Sequence, residues 1–496
     1  MKPAHLLPLS LLAASTHAAT LSCRNTTLTS CLSAAGVPFA VPTSDTWDLA
    51  AATYNARLPY TPVAIAIPEA DAHISAAVRC GAEHGVKVTP KSGGHSYASL
   101  GLGGEDGHLV VELDQMANVT LDVETGIATV GSGARLGYIA QEIYNLGKRG
   151  FSHGTCVGVG IAGHVLHGGY GMASHTHGLA LDWVDSMTVV LANASIVSCS
   201  ATESPDLFWA MLGAGSSFGI VTSFRLRTFA APENVTWFSA SLEWDGEASS
   251  AVAALEALET YTRDTMPREL NMRLAGGRAG ASVEGVYYGE REGLDRALAP
   301  LWEVTNGSIS RAETTGWIGA LEHYSETGMG LNVSDPYDTT ETFYSKSLTL
   351  KGLNGTAAAN FVDYWINAAA NVDRMWWFQL DLHGGAHSAI WAADTGVTSY
   401  AHRDKLYLIQ FYDRAFFGGY PDDGFALLDG WVDATTEGMG RDEWGMYLNY
   451  ADARMERAEA EEAYWGVNVQ RLREVKASVD AGDLFYNPIS VEPATA

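Results

Sequence analysis

The 496-residue sequence predicts an α+β protein of two domains, one inserted into the other, and three observations carry that prediction. The length exceeds what a single simple hydrophobic core serves. A strand–helix–strand pattern opens at Thr61. Near Pro232 the texture changes from short strands and glycine turns to long helical patterns mixed with strands. The expected boundaries are a signal peptide over 1–19, a first domain over 20–232, an inserted domain over 233–447, and a final segment over 448–496.

Each element has a local reason. "MKPAHLLPLSLLAASTHAAT" joins Lys2 to a short Leu/Ala-rich run and small residues at Ala18 and Ala19, the form of a cleaved secretory signal. That run is too short, and too broken by Pro8 and His17, to span a bilayer. From Thr61, "PVAIAIP" and "GVKVTP" read as strands around the helix "EADAHISAAVRCGAEHG", which closes on Gly85. "HLVVELDQM" follows as a strand, and "NVTLDVETGIATVGSG" as two strands joined at a Glu-Thr-Gly turn. "ARLGYIAQEIYNLG" is a helix ending at Gly147, "DWVDSMTVVLANASIVSCS" a hairpin, and "PDLFWAMLGAGSSFGIVTSFRLRTF" a short helix, a glycine turn and a strand. Beyond Pro232, "SSAVAALEALETYTRDT" and "TAAANFVDYWINAA" are helical, whereas "LNMRLAGG", "SVEGVYYG" and "MWWFQLDLHGG" are strands. "EAYWGVNVQRLREVKASVDAGDLFYNPIS" reads as a helix with an extended tail.

Composition excludes some functions. With 47% hydrophobic and 18% charged residues the chain is globular throughout. A formal charge of -27 repels polyanions, so nucleic acid and anionic membranes are not expected partners, whereas neutral or cationic small molecules remain open. An exported protein, expected to be a monomer, fits glycosylation triplets beginning at Asn25, Asn118, Asn193, Asn234, Asn306, Asn332 and Asn354. Export also places five cysteines in an oxidising compartment, and an odd count leaves at least one thiol over. Cys156 stands out, because it alone lies in a glycine-rich stretch.

That stretch, "FSHGTCVGVGIAGHVLHGGYGMASHTHG", has three readings. Gly158-x-Gly160-x-x-Gly163, with Asp182 about twenty residues on, has the dinucleotide-loop spacing. A buried strand should precede such a loop, and "RGFSHGTC" is polar and glycine-broken. A metal site could draw on His153, His164, His167, His175 and His177, but neither a cysteine pair nor a His-Glu-x-x-His helix supports it. The third reading pairs the stretch with "TPKSGGHSYASLGLGGEDG", some sixty residues earlier. Two glycine loops, one with His95 and one with Cys156, let backbone amides approach a phosphorylated cofactor.

"SGGHSY" with "SHGTCVGVGIAGHVLHGGYG" resembles the flavin domain of the vanillyl-alcohol-oxidase-type FAD oxidases, in particular the berberine-bridge-like branch that holds the fungal oligosaccharide oxidases. The resemblance extends through "HGLALDWVDSMTVVL", "DLFWAMLGAGSSFGIV", "WWFQLDLHGG", "YAHRDKLYLIQFYD" and "YLNYAD", nearly the whole mature chain. It implies a two-part FAD domain and an inserted substrate domain on an antiparallel sheet. It also implies FAD bonded to His95 and Cys156, with pyrophosphate contacts from Gly93, Gly94, Ser96 and Ser99. Gly158, Gly163, His164, Gly168, Gly219, Ile220 and Val221 would line the cofactor. Turn and packing duty is the alternative for about half of the glycines. His167 departs from the glycine frequent in related chains. With Cys156 so used, the resemblance implies a Cys31–Cys80 disulfide and leaves a Cys23–Cys199 pair open.

On the strand "DRMWWFQLDLHGG", side chains alternate, so Trp377, Gln379 and Asp381 share one face. An aromatic platform, an amide and a carboxylate suit sugar oxidation; an ordinary strand with Trp376 in the core is the plainer reading. The resemblance favours the first and assigns catalysis to Asp381 and Tyr450, with Tyr97, Tyr170, Trp377, Gln379 and Gln410 contacting sugar. A phenol is a poor base at its usual pKa of about 10, so Tyr450 needs a neighbour to take the proton on. Arg273 is a further candidate, Thr155 touches flavin or substrate, and Ala275 stands where some relatives carry glutamate. The expected activity is oxidation of reducing-end gluco-, cello- or xylo-oligosaccharides to lactones, with dioxygen reduced to hydrogen peroxide. The alternatives are a same-fold oxidase or dehydrogenase acting on an alkaloid or other secondary metabolite, and a non-enzymatic sugar-binding protein.

Overall fold

The structure, a computed structural model, describes residues 28–242, 246–325, 330–331 and 340–495. The expected signal peptide, Cys23, and the triplets at Asn25 and Asn332 lie outside the described residues.

The strand–helix–strand unit forms as the periodicity predicts. Strands Ala64–Ala66 and Val88–Lys91 both run parallel to Leu109–Glu112, which lies between them, and the helix Asp71–Glu83 makes the crossover. Its buried residues Ile74, Ala77, Val78 and Cys80 recur at helical spacing. A five-stranded antiparallel sheet follows, in the order Val119–Asp122, Ile127–Gly131, Ile220–Arg227, Val184–Val190, Ile196–Ser200. The turn at Gly126 takes a left-handed φ of 71°, which explains the glycine there.

Eight antiparallel strands drawn from 235–445 form the largest sheet. Its order is Ser308–Thr315, Val235–Ser241, Gly280–Tyr287, Leu270–Gly277, Met375–Leu382, Tyr407–Ala415, Thr342–Leu350, Trp444–Gly445. One face packs on helices: Phe378 meets Phe361 at 5.1 Å and Trp431 at 5.5 Å between ring centres. The other face looks toward the glycine loops. The C-terminal pattern corrects one expectation, since it makes two helices, Arg457–Trp465 and Val469–Val479. Gly466, at a φ of 45°, breaks the run at "WGVN".

Cys31 and Cys80 form the disulfide, with Cα atoms 5.8 Å apart. Cys199 is buried on the Ile196–Ser200 strand, and burial pushes its thiol up to about 12. The disulfide closes a loop of sequence separation 49, which corresponds to about 4 kcal/mol of denatured-state entropy. Cys31→Ser is therefore expected to lower the unfolding free energy by about 2–4 kcal/mol, measured by denaturant titration against wild type. An unchanged midpoint would refute it.

Among the described residues no helix is long and apolar enough to cross a membrane.

Candidate active site

The two glycine loops touch backbone to backbone. A Cβ placed on Gly93 would stand 2.2 Å from the Gly160 nitrogen, and one on Gly160 would stand 2.1 Å from the Gly93 nitrogen. Any side chain at either position would force the loops apart. Arg135 clamps the same junction: its guanidinium donates to the Gly93 carbonyl at 2.9 Å and to the Gly158 carbonyl. The His95 ring stacks on Tyr54 at 4.7 Å and lies so close to Gly158 that a Cβ there would sit 2.9 Å from Nε2. Cys156 is two residues back along that loop. The imidazole and the thiol, sixty-one positions apart in sequence, thus line one cavity.

That cavity has a volume of about 410 Å³, in the range of pockets that enclose small ligands. Gly93, Gly94, His95, Ser96, Thr155, Cys156, Gly163, His164, Gly219 and Val221 form its loop side. Tyr97, Tyr170, Arg273, Trp377, Gln379, Asp381, Gln410 and Tyr450 form the side toward the large sheet.

Ser99, Gly158, Gly168 and Ile220 do not themselves line the cavity. Ser99 is buried at a φ of 50° and shares its hydroxyl with Thr53 at 2.6 Å. Gly158 backs the His95 ring, and Gly168, at a φ of 126°, makes room for the Tyr447 ring. Ile220 is fully buried in the hydrophobic cluster around the parallel strands Ala64–Ala66, Val88–Lys91 and Leu109–Glu112.

The metal and dinucleotide readings meet different geometry. Among the described residues no group of three His, Cys, Asp or Glu side chains is placed to hold a metal ion. His153 Nδ1 pairs with the Gly154 carbonyl at 2.8 Å, and His164 Nε2 accepts the Gly154 N–H at 2.9 Å. Burial holds His164 down to about 3, so the neutral ring that this acceptor role requires persists. His167 braces the loop from the Gly163 carbonyl (2.8 Å) to Ser216 (2.9 Å), which gives the departure from glycine a structural purpose. Before the glycine stretch there is only the two-residue strand Arg149–Gly150, and Asp182 pairs with Arg403.

The sheet side is a ladder. Gln379 sits opposite Gln410, Trp377 opposite Tyr412, and Arg273 opposite Asp381. The Arg273 guanidinium is held by Glu284 at 2.6 Å and donates to Gln379 Oε1 at 3.0 Å. Gln410 Nε2 donates to the Tyr97 hydroxyl at 2.9 Å, and Tyr97 stacks on Tyr450 at 5.8 Å. Asp381 is 2% exposed, and burial pushes its carboxyl up to about 7 against the pull of Arg273. A carboxyl titrating near neutrality inside a cavity is suited to accept a proton.

Several contributors were missed at the level of sequence. The Tyr447 hydroxyl accepts N–H bonds from Gly169 at 2.9 Å, Tyr170 at 3.0 Å and Asn449 at 2.9 Å, pinning the loop to the C-terminal segment. No local pattern announces such a contact across 278 positions. Tyr412 and Arg414 were legible: they follow Gln410 at a period of two and line the cavity.

The residues present fit a flavin dinucleotide. A thiol and an imidazole both line the cavity, and a Cβ added to cavity-lining Gly163 would meet nothing within 4 Å, as a glycine-floored cradle requires. Comparison with known proteins agrees. Residues 62–200 match the family described as FAD binding domain, and residues 446–492 match berberine and berberine like. The xylooligosaccharide oxidase of Thermothelomyces thermophilus is 50% identical over 99% of each chain. The solved structure of the xylooligosaccharide oxidase from Myceliophthora thermophila C1, in complex with xylobiose, superimposes with a TM-score of 0.93, at 51% identity over 95% of this chain and all of that one. The glucooligosaccharide oxidase of Acremonium strictum, described with a 6-S-cysteinyl, 8α-N1-histidyl FAD, gives 0.91 at 44% identity, over 95% of this chain and all of that one. With glycine loops, flavin cavity and near-full-length likeness in agreement, the chain belongs to the FAD-dependent oligosaccharide oxidases of the berberine-bridge-like family.

Proposed function

We propose that this protein is an extracellular oxidase that carries FAD on both His95 and Cys156 and converts the anomeric hydroxyl of reducing-end gluco-, cello- or xylo-oligosaccharides to a lactone. The observation that supports it most is the position of Asp381: buried, shifted to about 7, and on the same cavity as His95, Cys156 and an aromatic–amide ladder. Trp377 offers a face for a pyranose ring, and Gln379 and Gln410 offer amides to its hydroxyls. Tyr450 takes the anomeric hydroxyl proton and Asp381 accepts it onward, while Arg273 steadies the resulting charge. FAD held by His95 and Cys156 would supply the two-electron acceptor that oxidation of the anomeric carbon requires, with dioxygen as the terminal acceptor reduced to hydrogen peroxide.

The test is peroxide release by the purified protein across a panel of reducing mono- and oligosaccharides, with the aldonic acid measured as product. Turnover of oligosaccharides supports the reading, and no peroxide from any sugar overturns it. In the same assay Trp377→Ala is expected to raise KM for a disaccharide about tenfold with kcat little changed. That split is the mark of binding shared equally by ground and transition states, and a loss confined to kcat would contradict it.

A further inference from the structure

The ladder on the sheet side does not stop at the cavity. Beyond Trp377–Tyr412 the next rung of the same two strands is Met375–Arg414, on the same face because side chains alternate. Trp377 and Tyr412 stack at 4.9 Å with ring planes 12° apart, and Arg414 in turn lies over the Phe416 ring at 4.5 Å. Glu341 ties this outer rung together, accepting from the Tyr412 hydroxyl and pairing with Arg414 at 2.8 Å. Exposure rises steadily outward: Asp381 is 2% exposed, Met375 44%, Phe416 58% and Phe417 95%. Arg414 is thus already neutralised by Glu341, and the Phe416 ring it covers and the neighbouring Phe417 are both left in water.

We propose that Met375, Phe416 and Phe417, with Arg414 at the cavity rim, form a distal subsite that holds the sugar units of an oligosaccharide beyond those inside the cavity. This deepens the proposed sugar oxidation and rests on it. Continuity decides the occupant: rungs about 7 Å apart lead from the carboxylate to the rim along one face, so a chain entering by its reducing end lies along them. Chemistry decides its class. Exposed aromatic rings accept the apolar faces of pyranoses, and the Glu341–Arg414 pair presents hydrogen-bonding atoms to neutral hydroxyls. The formal charge of -27 and the paired arginine disfavour acidic sugars.

The experiment compares wild type with Phe416→Ala/Phe417→Ala on a series from disaccharide to hexasaccharide, with calorimetric binding of the hexasaccharide beside it. The substitutions are at exposed positions, so the fold should be kept. For the double variant kcat/KM on the disaccharide should be unchanged. On the longest substrates it should fall about three- to tenfold, through KM, with hexasaccharide affinity falling equally. Superimposable chain-length profiles from an active wild type would overturn the subsite alone. A wild type that oxidises no sugar would overturn the activity and the subsite together. Loss of self-association in the variant, by sedimentation, with an unchanged profile would show that the rings serve a second copy of the chain, which also overturns it.

Discussion

Asp381→Asn is expected to reduce kcat/KM on a reducing disaccharide by about a thousandfold, nearly all of it in kcat. The amide keeps the size of the carboxyl and its place opposite Arg273, so substrate binding should change little. What it loses is the capacity to accept the proton that Tyr450 passes on. The pH dependence has a defined sign. The competent form is the carboxylate, and burial raises its pKa to about 7, so wild-type kcat/KM should rise with pH through that value and flatten above it. Stability runs the other way. Because the folded pKa stands above the unfolded value of about 3.9, the native state binds the extra proton between roughly pH 4 and 7, and stability falls as pH rises across that window. Asparagine does not titrate, so the Tm of Asp381→Asn relative to wild type should climb from pH 4 to 7 and then level off. A variant with wild-type turnover, or a Tm difference independent of pH, would refute the assignment.

Removing both tethers is expected to release the cofactor entirely. His95→Ala and Cys156→Ala should each leave a yellow pellet after acid precipitation, because the remaining bond still holds the flavin. The double variant should give a colourless pellet and a yellow supernatant, or a protein purified without flavin. The geometry supports this expectation because His95 packs against Gly158, two positions from the thiol, and both side chains line one cavity. A colourless pellet from either single variant would mean that the other residue forms no bond. A yellow pellet from the double variant would mean that neither is needed.

Much of this site could be seen in the sequence because its chemistry is carried by rare residue types in local patterns. A cysteine amid glycines, a histidine after two glycines, and Trp377, Gln379 and Asp381 at a period of two each announce a place in the site. The same holds for the crossover helix, whose apolar spacing requires burial on one face, and for the Glu-Thr-Gly turn. Where the pattern misled, a backbone effect was responsible. The C-terminal run reads as one helix by composition, yet Gly466 turns the chain at a φ of 45° and makes two. Ser99, Gly158, Gly168 and Ile220 do not line the cavity, and single-residue steps along the chain decide whether a group faces it or packs beside it.

By itself the sequence determined the α+β character, the glycine loops with their histidine and cysteine, and the shared face of the Met375–Leu382 strand. These follow from periodicity, turn chemistry and residue type, all of which act over a few neighbouring positions. Tertiary structure alone decided that Arg135 clamps both loops, that Tyr447 receives three N–H groups, and that Asp381 sits buried beside Arg273 with its pKa near 7. Those properties depend on desolvation and on partners up to hundreds of residues away, and neither exists until the chain has closed on itself.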